Sequence, residues 1–202
     1  KNNQKKRAVN EAKQAEKEGF QVFMVTPDKD YAQLVSENIF MYRPARMGNG
    51  IEIWGVPDVL ETFEVERPEQ VIDFLGMMGD TVDNIPGLPG VGEKTAKKLL
   101  AEYGTMENLL ENTHQLKGKM KEKIEGAKEL GLLSKNLATI LLDCPVTFDA
   151  ETYKLDKPDT AKTEAIFQDL EFRRMQEQFA KLFADGADFN EVASTTNEFE
   201  VA

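Results

Sequence analysis

Between residues 21 and 55 the chain alternates short apolar runs with breaks at Pro, Gly or Asn. The runs, rich in Val, Ile, Phe and Tyr, are QVFMVTPD (21–28), NIFMYRPA (38–45) and GIEIWG (50–55). β-Branched and aromatic residues between such breaks are typical of strands. The pattern predicts a small sheet in this part of the chain.

From residue 56 onward, apolar residues return every three or four positions, which is the period of an α-helix. One helix is predicted to begin at Pro68 and another to cover 93–103. Gly104 would end the second helix, and Thr105 would cap the next. The fold class is therefore α/β, with a helical C-terminal part. Further helices are predicted over 119–130, 132–141, 161–170 and 172–183, and a linker or disordered tail over 184–202.

The distribution of charge limits the classes of partner. The 202 residues carry a formal net charge of -11, but residues 143–202 contribute 14 acidic and only 6 basic residues. The segment 115–135 holds six lysines and three glutamates, so a phosphate-contacting face is allowed locally. A single cysteine, Cys144, excludes an internal disulfide, and no apolar run has the length of a membrane span. We expect a cytoplasmic protein with no membrane partner.

Four aspartates are candidates for a metal site. Asp28 and Asp30 follow the predicted strand, at the carboxyl edge where ligands of open α/β sheets bind. Two positions apart in an extended stretch, their carboxylates would point to one side. Asp80 and Asp83 follow the helix that begins at Pro68, and one more helical turn would place them on a common face. Clustered carboxylates need cations to offset their repulsion, and oxygen ligands favour Mg²⁺ or Mn²⁺.

A local role is the alternative for each of these residues. Asp28 would cap a following helix, Asp30 would be solvated, and Asp83-Asn84 would form a turn, because Asp and Asn favour caps and turns for local reasons. The residue pattern leaves both interpretations open.

A glycine-rich stretch, IPGLPGVG (85–92), precedes the helix predicted over 93–103 and predicts an anion site. Its glycines allow positive φ angles and the close approach of another backbone. Free amides at the helix start would bind a phosphate oxygen, and lysines of the first turns would add charge. A glycine corner needed only for helix packing is the alternative, and the absence of Walker spacing argues against nucleotide hydrolysis. The candidate DNA-binding residues are Gly87, Gly90, Gly92, Lys94, Thr95, Lys97 and Lys98.

Two motifs in this order, VTPDKD (25–30) and GDTVDNIPGLPGVGEKTAKKLL (79–100), resemble the flap-nuclease family that includes the 5′-nuclease domain of bacterial DNA polymerase I. The resemblance extends from about residue 12 to about residue 183. It implies the remaining part of a PIN-like nuclease core over 12–83. An all-α helix-three-turn-helix, or helix-hairpin-helix, region that binds DNA would follow over 84–183.

The resemblance also implies an activity, namely a metal-dependent 5′ to 3′ exonuclease and flap endonuclease of DNA replication and repair. Asp28, Asp30, Asp80 and Asp83 match metal ligands of the family and are the expected catalytic residues. Two Mg²⁺ or Mn²⁺ ions about 4 Å apart would activate water and stabilise the leaving oxygen. The stretch 87–95 matches the helix-hairpin-helix turn, which in relatives also holds K⁺ through backbone carbonyls. The implied partners are 5′-flap or nicked duplex DNA at the bacterial nucleoid, with polymerase modules C-terminal to this segment in the parent chain.

Residues 1–11 depart from the family pattern. Its acidic motif, YEADD, comes shortly before a stretch like AKQAEKEG (12–19), and counting back places it near Asn3, Lys5 and Lys6, none of which is acidic. The family's first strand and its helical arch are not matched either. We therefore leave 1–11 unassigned, as a vector-derived or displaced segment or a divergent remnant of the arch in an N-terminally truncated domain. Losing ligands that act as a unit would weaken metal binding and could abolish cleavage.

Three hypotheses follow for function. The first is the metal-dependent nuclease, and the second is a catalytically incomplete fragment that binds duplex DNA without cutting it. The third, which we rank lowest, is a helix-hairpin-helix adaptor that recognises a protein. Salt-sensitive DNA binding without metal-dependent cleavage separates the second from the first.

Overall fold

The computed structural model of the chain describes residues 2–44 and 50–183, with residues 2–6 described by their backbone helix alone. The chain divides into two compact units, Lys1–Phe148 and Asp149–Ala202. Most described residues are helical, and the sheet is small. The elements in chain order are α1 (Asn2–Lys17), β1 (Val22–Val25), β2 (Ile39–Pro44), β3 (Ile51–Trp54), α2 (Val56–Phe63), α3 (Val71–Met78), α4 (Glu93–Tyr103), α5 (Met106–Glu111), α6 (Gly118–Glu125), α7 (Lys128–Ala138), α8 (Thr160–Asp169) and α9 (Arg173–Phe183), with 3₁₀ turns at Lys29–Leu34, Pro68–Gln70 and Thr113–Gln115.

The sheet has the strand order β1-β2-β3, with β1 and β2 parallel and β2 and β3 antiparallel. Met24, Ile39 and Met41 of one face are buried, because period-2 alternation turns these side chains toward the helices. On the opposite face Phe23 stacks on Phe40 and is 43% exposed. The three predicted strands are confirmed, except that residue 45 of the second lies outside the described residues.

The helices follow the predicted apolar periods, and their ends follow local capping chemistry. Glu93–Tyr103 is helical over the predicted bounds, and Thr105 caps α5 by accepting the N–H of Asn108 at 3.2 Å. The helix predicted from Pro68 begins with a 3₁₀ turn and continues as α3. Helices are present as α6, α7, α8 and α9 where the pattern predicts them. The predicted bounds of the first two are wrong, because α6 ends at Glu125, residues 128–130 already belong to α7, and residues 139–141 are not helical.

One hydrophobic core runs through the first unit, from Val9 on α1 to Ala138 on α7. Its tightest crossing joins α3 to α7, where a Cβ on Gly76 would meet the Cα of Lys135 at 2.8 Å.

Helix α1 crosses the predicted boundary after residue 11 without a break. The core likewise spans the predicted boundary after residue 83, so both domain limits stay predictions; the predicted tail, 184–202, lies outside the described residues. Every helix in the described ranges is too short or too polar to span a bilayer.

Candidate nucleic-acid interface and carboxylate cluster

The first aspartate pair lies just beyond the carboxyl end of β1, but not in an extended segment. Asp28 caps the 3₁₀ helix Lys29–Leu34, and its Oδ1 accepts the N–H of Asp30 at 3.1 Å. Asp30 therefore lies inside a helical turn, and the expectation of two carboxylates on one side of a strand is wrong. The local bond between an Asp side chain and the backbone two residues on prevailed over extension.

The second pair lies in a loop after α3. Helix α3 ends at Met78 because Gly79 adopts a positive φ of 76°, so the predicted extra helical turn is absent. The backbones of Asp80 and Ile85 exchange two hydrogen bonds, of 2.9 and 2.7 Å, which close a tight loop. Asp83 is exposed in this loop, as the turn alternative expected.

An ion pair joins the two segments. Lys29 Nζ lies 2.8 Å from Oδ2 of Asp80, whose side chain is only 13% exposed. Oδ1 of Asp80 accepts the N–H of Val82 at 2.8 Å. The hydrogen bond from Lys29 holds the pKa of Asp80 below its ordinary value, with the amides adding to this effect and burial opposing it.

Asp30 and Asp83 line one cavity of about 440 Å³. The facing wall is the C-terminal end of α7 and the residues after it, 136–141, which include Asn136 and Thr139. Sequence reasoning missed this wall, since no local signal connects it with aspartates more than fifty residues away. Only the packing of α7 against α3 brings it there.

The carboxylates do not form a complete site for one ion as they stand. Within the described ranges, no three His, Cys, Asp or Glu side chains are grouped so that they could hold a metal. Asp30 and Asp83 share a cavity, whereas Asp80 is engaged by Lys29 and backbone amides. The chemistry of the set suits a hard cation, but the arrangement supplies ligands singly or in pairs.

The glycine-rich hairpin, residues 85–92, combines a packed turn with an open one. Gly87 has a φ of 66°, and a Cβ there would lie 2.6 Å from the amide nitrogen of Gly79. Its own N–H donates to Oγ of Ser134, a fully buried residue of α7, at 3.0 Å. Gly87 is thus required for packing, as the corner alternative expected, whatever else the hairpin does.

The second half of the hairpin faces solvent. Gly90 and Gly92 are exposed, and a Cβ on Gly92 would meet nothing within 4 Å. Gly92 is the N-cap of α4, so the first-turn amides of that helix lack intrahelical acceptors. A Cβ on Gly90 would lie 3.2 Å from Lys123 Nζ, which brings α6 to the hairpin. Lys123 is not one of the seven candidate DNA-binding residues, but it belongs to the lysine-rich segment 115–135, for which the sequence allowed a phosphate-contacting face.

The three predicted lysines of α4 have different surroundings. Lys94 and Lys98 are exposed, and Thr95 is half-buried. Lys97 is only 16% exposed in its side chain and pairs with Glu64 at 3.0 Å and Glu93 at 3.3 Å. The contact with Glu64 holds α4 to the end of α2. The hydrogen bond that Lys97 donates to Glu64 raises the pKa of Lys97, and burial opposes this effect.

The helical part of the chain matches a known protein family. Residues 66–161 match the family model described as 5′-3′ exonuclease, C-terminal SAM fold. This range begins before the 3₁₀ turn Pro68–Gln70 and includes the hairpin and α3 to α7.

Bacterial DNA polymerases I are similar over most of the chain. The enzyme of Bacillus subtilis is 40% identical over 171 residues, which are 84% of this chain and 19% of that protein. The thermostable DNA polymerase I of Thermus filiformis is 40% identical over 172 residues, 85% of this chain and 20% of that protein. The chain thus spans about a fifth of the length of these curated relatives.

Solved nucleases share the fold. T5 5′-exonuclease with bound divalent metal ions (zinc) superposes with a TM-score of 0.59 at 22% identity, covering 66% of this chain and 48% of that one. The catalytic core of Rad2 gives a TM-score of 0.52 at 14% identity, covering 80% of this chain and 59% of that one. The mixed α/β fold class is confirmed. Residues 66–161 carry the C-terminal SAM fold of the 5′-3′ exonuclease family, and 84% of the chain is similar to the DNA polymerase I of Bacillus subtilis.

Proposed function

We propose that this chain is the DNA-holding and carboxylate-bearing part of a metal-dependent 5′ to 3′ exonuclease and flap endonuclease. Its substrate would be a 5′ flap or nicked duplex in bacterial replication and repair, at the nucleoid in the cytoplasm, with polymerase modules in the same parent chain. The observation that carries the proposal is the open half of the hairpin 85–92, where exposed glycines and the start of α4 meet lysines of two helices.

The hairpin has the chemistry of a phosphate contact. The exposed backbone of Gly90 and Gly92 lets a phosphodiester approach closely, and the first-turn amides of α4 can donate to its oxygens. Lys94 and Lys98 on α4 and Lys123 on α6 add positive charge. None of these groups reads a base edge, so the expected binding is independent of sequence and sensitive to salt. Lys97 would have to leave Glu64 and Glu93 to reach a phosphate.

Asp28, Asp30, Asp80 and Asp83 would contribute oxygen ligands to a site for Mg²⁺ or Mn²⁺. Such ions supply activation of water and stabilisation of the leaving oxygen when they are bound. Asp30 and Asp83 are the best placed, because they open onto the same cavity. We also propose that backbone carbonyls of the hairpin take K⁺, as the resemblance implies. These four residues alone supply no complete ion site among the described residues, so no hydrolytic step is assigned to them.

That incompleteness favours a second candidate function. A chain with ligands only singly or in pairs could hold duplex DNA without cutting it. A third candidate, an adaptor that recognises a protein through the hairpin, would require DNA affinity to survive replacement of Gly90 and Gly92.

The test is incubation of the purified chain with a labelled 5′-flap duplex in Mg²⁺ and then Mn²⁺, with binding and cleavage read on the same samples. The matched control is the Asp80→Asn, Asp83→Asn variant. Cleavage that disappears in the control supports the nuclease. Binding without cleavage supports the second candidate, and absence of binding contradicts both.

A further inference from the structure

Three amide side chains bind the backbone that runs from Ala138, the last residue of α7, to Phe148, and this backbone joins no sheet in the described part of the chain. Gln33 donates to the carbonyl of Ala138 at 3.1 Å and accepts the N–H of Ile140 at 3.0 Å. Asn10 donates to the carbonyl of Leu141 and accepts the N–H of Cys144, each at 3.2 Å. Gln14 donates to the carbonyl of Val146 at 2.8 Å and accepts the N–H of Phe148 at 3.0 Å. Each amide thus replaces the partner strand that this backbone lacks.

Gln33 differs from the other two amides in its position. It lies on the 3₁₀ helix Lys29–Leu34, which also carries Asp30, and is only 7% exposed. The backbone that it holds, 138–140, is part of the cavity wall that faces Asp30 and Asp83. Gln14 binds the same segment at Val146, which is not part of the cavity lining.

Helix α7 continues this link to the hairpin. Ser134 precedes Ala138 by one helical turn, about 6 Å along the axis. Its hydroxyl accepts the N–H of Gly87 and donates to the carbonyl of Leu130 at 2.7 Å. The two ends of one short piece of α7 are therefore bonded to the hairpin and to the segment that carries Asp30.

We propose that Gln33 is a positioning residue that fixes the distance between the DNA-binding hairpin and the carboxylates of the cavity. This inference rests on the proposed function, because it requires DNA to be held at the hairpin. A group displaced by about 1 Å from its productive position can lose about 100-fold in rate, so a link of this kind matters for any chemistry at Asp30.

The experiment maps where Asp30 lies on bound DNA and needs neither metal binding nor catalysis by the native carboxylates. In a Cys144→Ser background, Asp30→Cys is labelled with an iron–EDTA reagent and bound to an end-labelled 5′-flap duplex. Ascorbate and peroxide then generate hydroxyl radicals that cut the nucleotides nearest to the label. The same measurement is made with Gln33→Met and with Gln14→Met, which loses the same pair of hydrogen bonds outside the cavity lining.

The parent and Gln14→Met should cut one narrow window of nucleotides. Gln33→Met should bind DNA equally well but cut a shifted window, or one at least about twofold broader, since its local restraint is lost. An unchanged window in Gln33→Met, or an equal change in Gln14→Met, would overturn the inference while leaving the proposed function in place. Absence of DNA binding by the parent would defeat both at the first step.

Melting curves accompany each variant. Where Gln33→Met does not fold, Gln33→Glu takes its place, because it is isosteric and keeps the acceptor for the N–H of Ile140 but cannot donate to Ala138. A window identical to that of the parent in this variant would overturn the inference in the same way.

Discussion

The ammonium of Lys29 lies 2.8 Å from Oδ2 of Asp80, so the segment that carries one aspartate pair supplies the cation that neutralises the other. The pair connects the 3₁₀ helix after β1 to the loop after α3. It also occupies an acceptor atom that a divalent cation would otherwise use.

Lys29→Met is therefore expected to tighten binding of Mn²⁺. The gain should be up to about fivefold, because a partly exposed ion pair is worth about 1 kcal/mol at most. Electron paramagnetic resonance of free Mn²⁺ measures the dissociation constant. Lys98→Met, which removes an exposed lysine of α4, is the control for loss of charge alone. Equal or weaker Mn²⁺ binding by Lys29→Met would show that Lys29 does not compete for the carboxylate.

A buried ion pair joins α3 to α7 and gives a prediction for stability. Lys135 Nζ lies 2.6 Å from Oδ1 of Asp73 and 2.7 Å from Oε2 of Glu107. Asp73 is only 8% exposed in its side chain, so Lys135→Met leaves a buried carboxylate without its cation. We expect a loss of about 3–5 kcal/mol in the free energy of unfolding, measured in urea by fluorescence of Trp54. Lys121→Met, which removes a pair that is 40% exposed on both sides, should cost less than about 0.5 kcal/mol.

The same network predicts how this difference in stability depends on pH. Burial lowers the pKa of Lys135, but its hydrogen bonds and charge interactions with Asp73 and Glu107 together have a larger opposite effect, so the pKa of Lys135 lies above its ordinary value. Burial raises the pKa of Glu107, but the hydrogen bonds that it accepts and the charge of Lys135 together have a larger opposite effect, so the pKa of Glu107 lies below its ordinary value. Lys135 contributes fully to the free energy of unfolding below its pKa in the unfolded chain, and this contribution is lost as the pH rises through its pKa in the folded protein. Glu107 contributes above its pKa in the unfolded chain, and this contribution is lost as the pH falls through its pKa in the folded protein.

The difference between the parent and Lys135→Met should therefore be constant from about pH 5 to about pH 10 and shrink on both sides. Urea unfolding at a series of pH values tests this. A difference that grows toward acid pH would contradict the assigned signs.

Two glycines of the hairpin separate packing from DNA contact. Gly87→Ala should cost about 3 kcal/mol or more, because a Cβ there meets backbone at 2.6 Å and the φ angle is positive. Gly92→Ala has open space around its Cβ, so it should cost about 1 kcal/mol at most as a changed N-cap. Gly92→Ala should nevertheless weaken DNA binding roughly tenfold by hindering the approach of a phosphate. A Gly92→Ala variant with undiminished DNA affinity would remove the hairpin from the interface.

The lysines of α4 give a further prediction from salt dependence. Lys94→Met and Lys98→Met should each reduce the slope of log affinity against log salt by about 1. Lys97→Met should leave the slope unchanged and instead lower stability, because Lys97 bonds Glu64, Glu93 and the carbonyl of Thr62. Fluorescence anisotropy of a labelled duplex over a salt series distinguishes the three. An equal change of slope in all of them would mean that Lys97 leaves its intramolecular partners when DNA binds.

The sequence predicted those features that neighbouring residues determine. The helix Glu93–Tyr103 and the Thr105 cap depend on apolar period and on one local hydrogen bond, and both are present. The extended conformation expected at Asp28 and Asp30 was wrong, because extension and capping compete within three residues and capping prevailed, as the local alternative for Asp28 expected. The helical turn expected for Asp80 and Asp83 was wrong because Gly79 left the α-region first.

Features that depend on distant packing were outside the reach of the sequence pattern. The sequence predicted a DNA contact for Lys97 but not its pairing with Glu64, which lies 33 positions away and is brought close only by the end of α2. The place of Asn136 in the cavity wall and the hydrogen bonds of Gln33 to residues 138–140 both require α7 to cross α3. No period or motif reports such a crossing.

DNA binding at the hairpin is tested most directly by the affinity of the purified chain for a 5′-flap duplex, measured by fluorescence anisotropy at several salt concentrations and compared with the Lys94→Met, Lys98→Met double variant. We predict measurable binding, with a logarithm of affinity that falls linearly with log salt and a slope smaller by about 2 in the double variant. No binding by the chain, or binding with the same slope in both proteins, would contradict DNA binding at the hairpin.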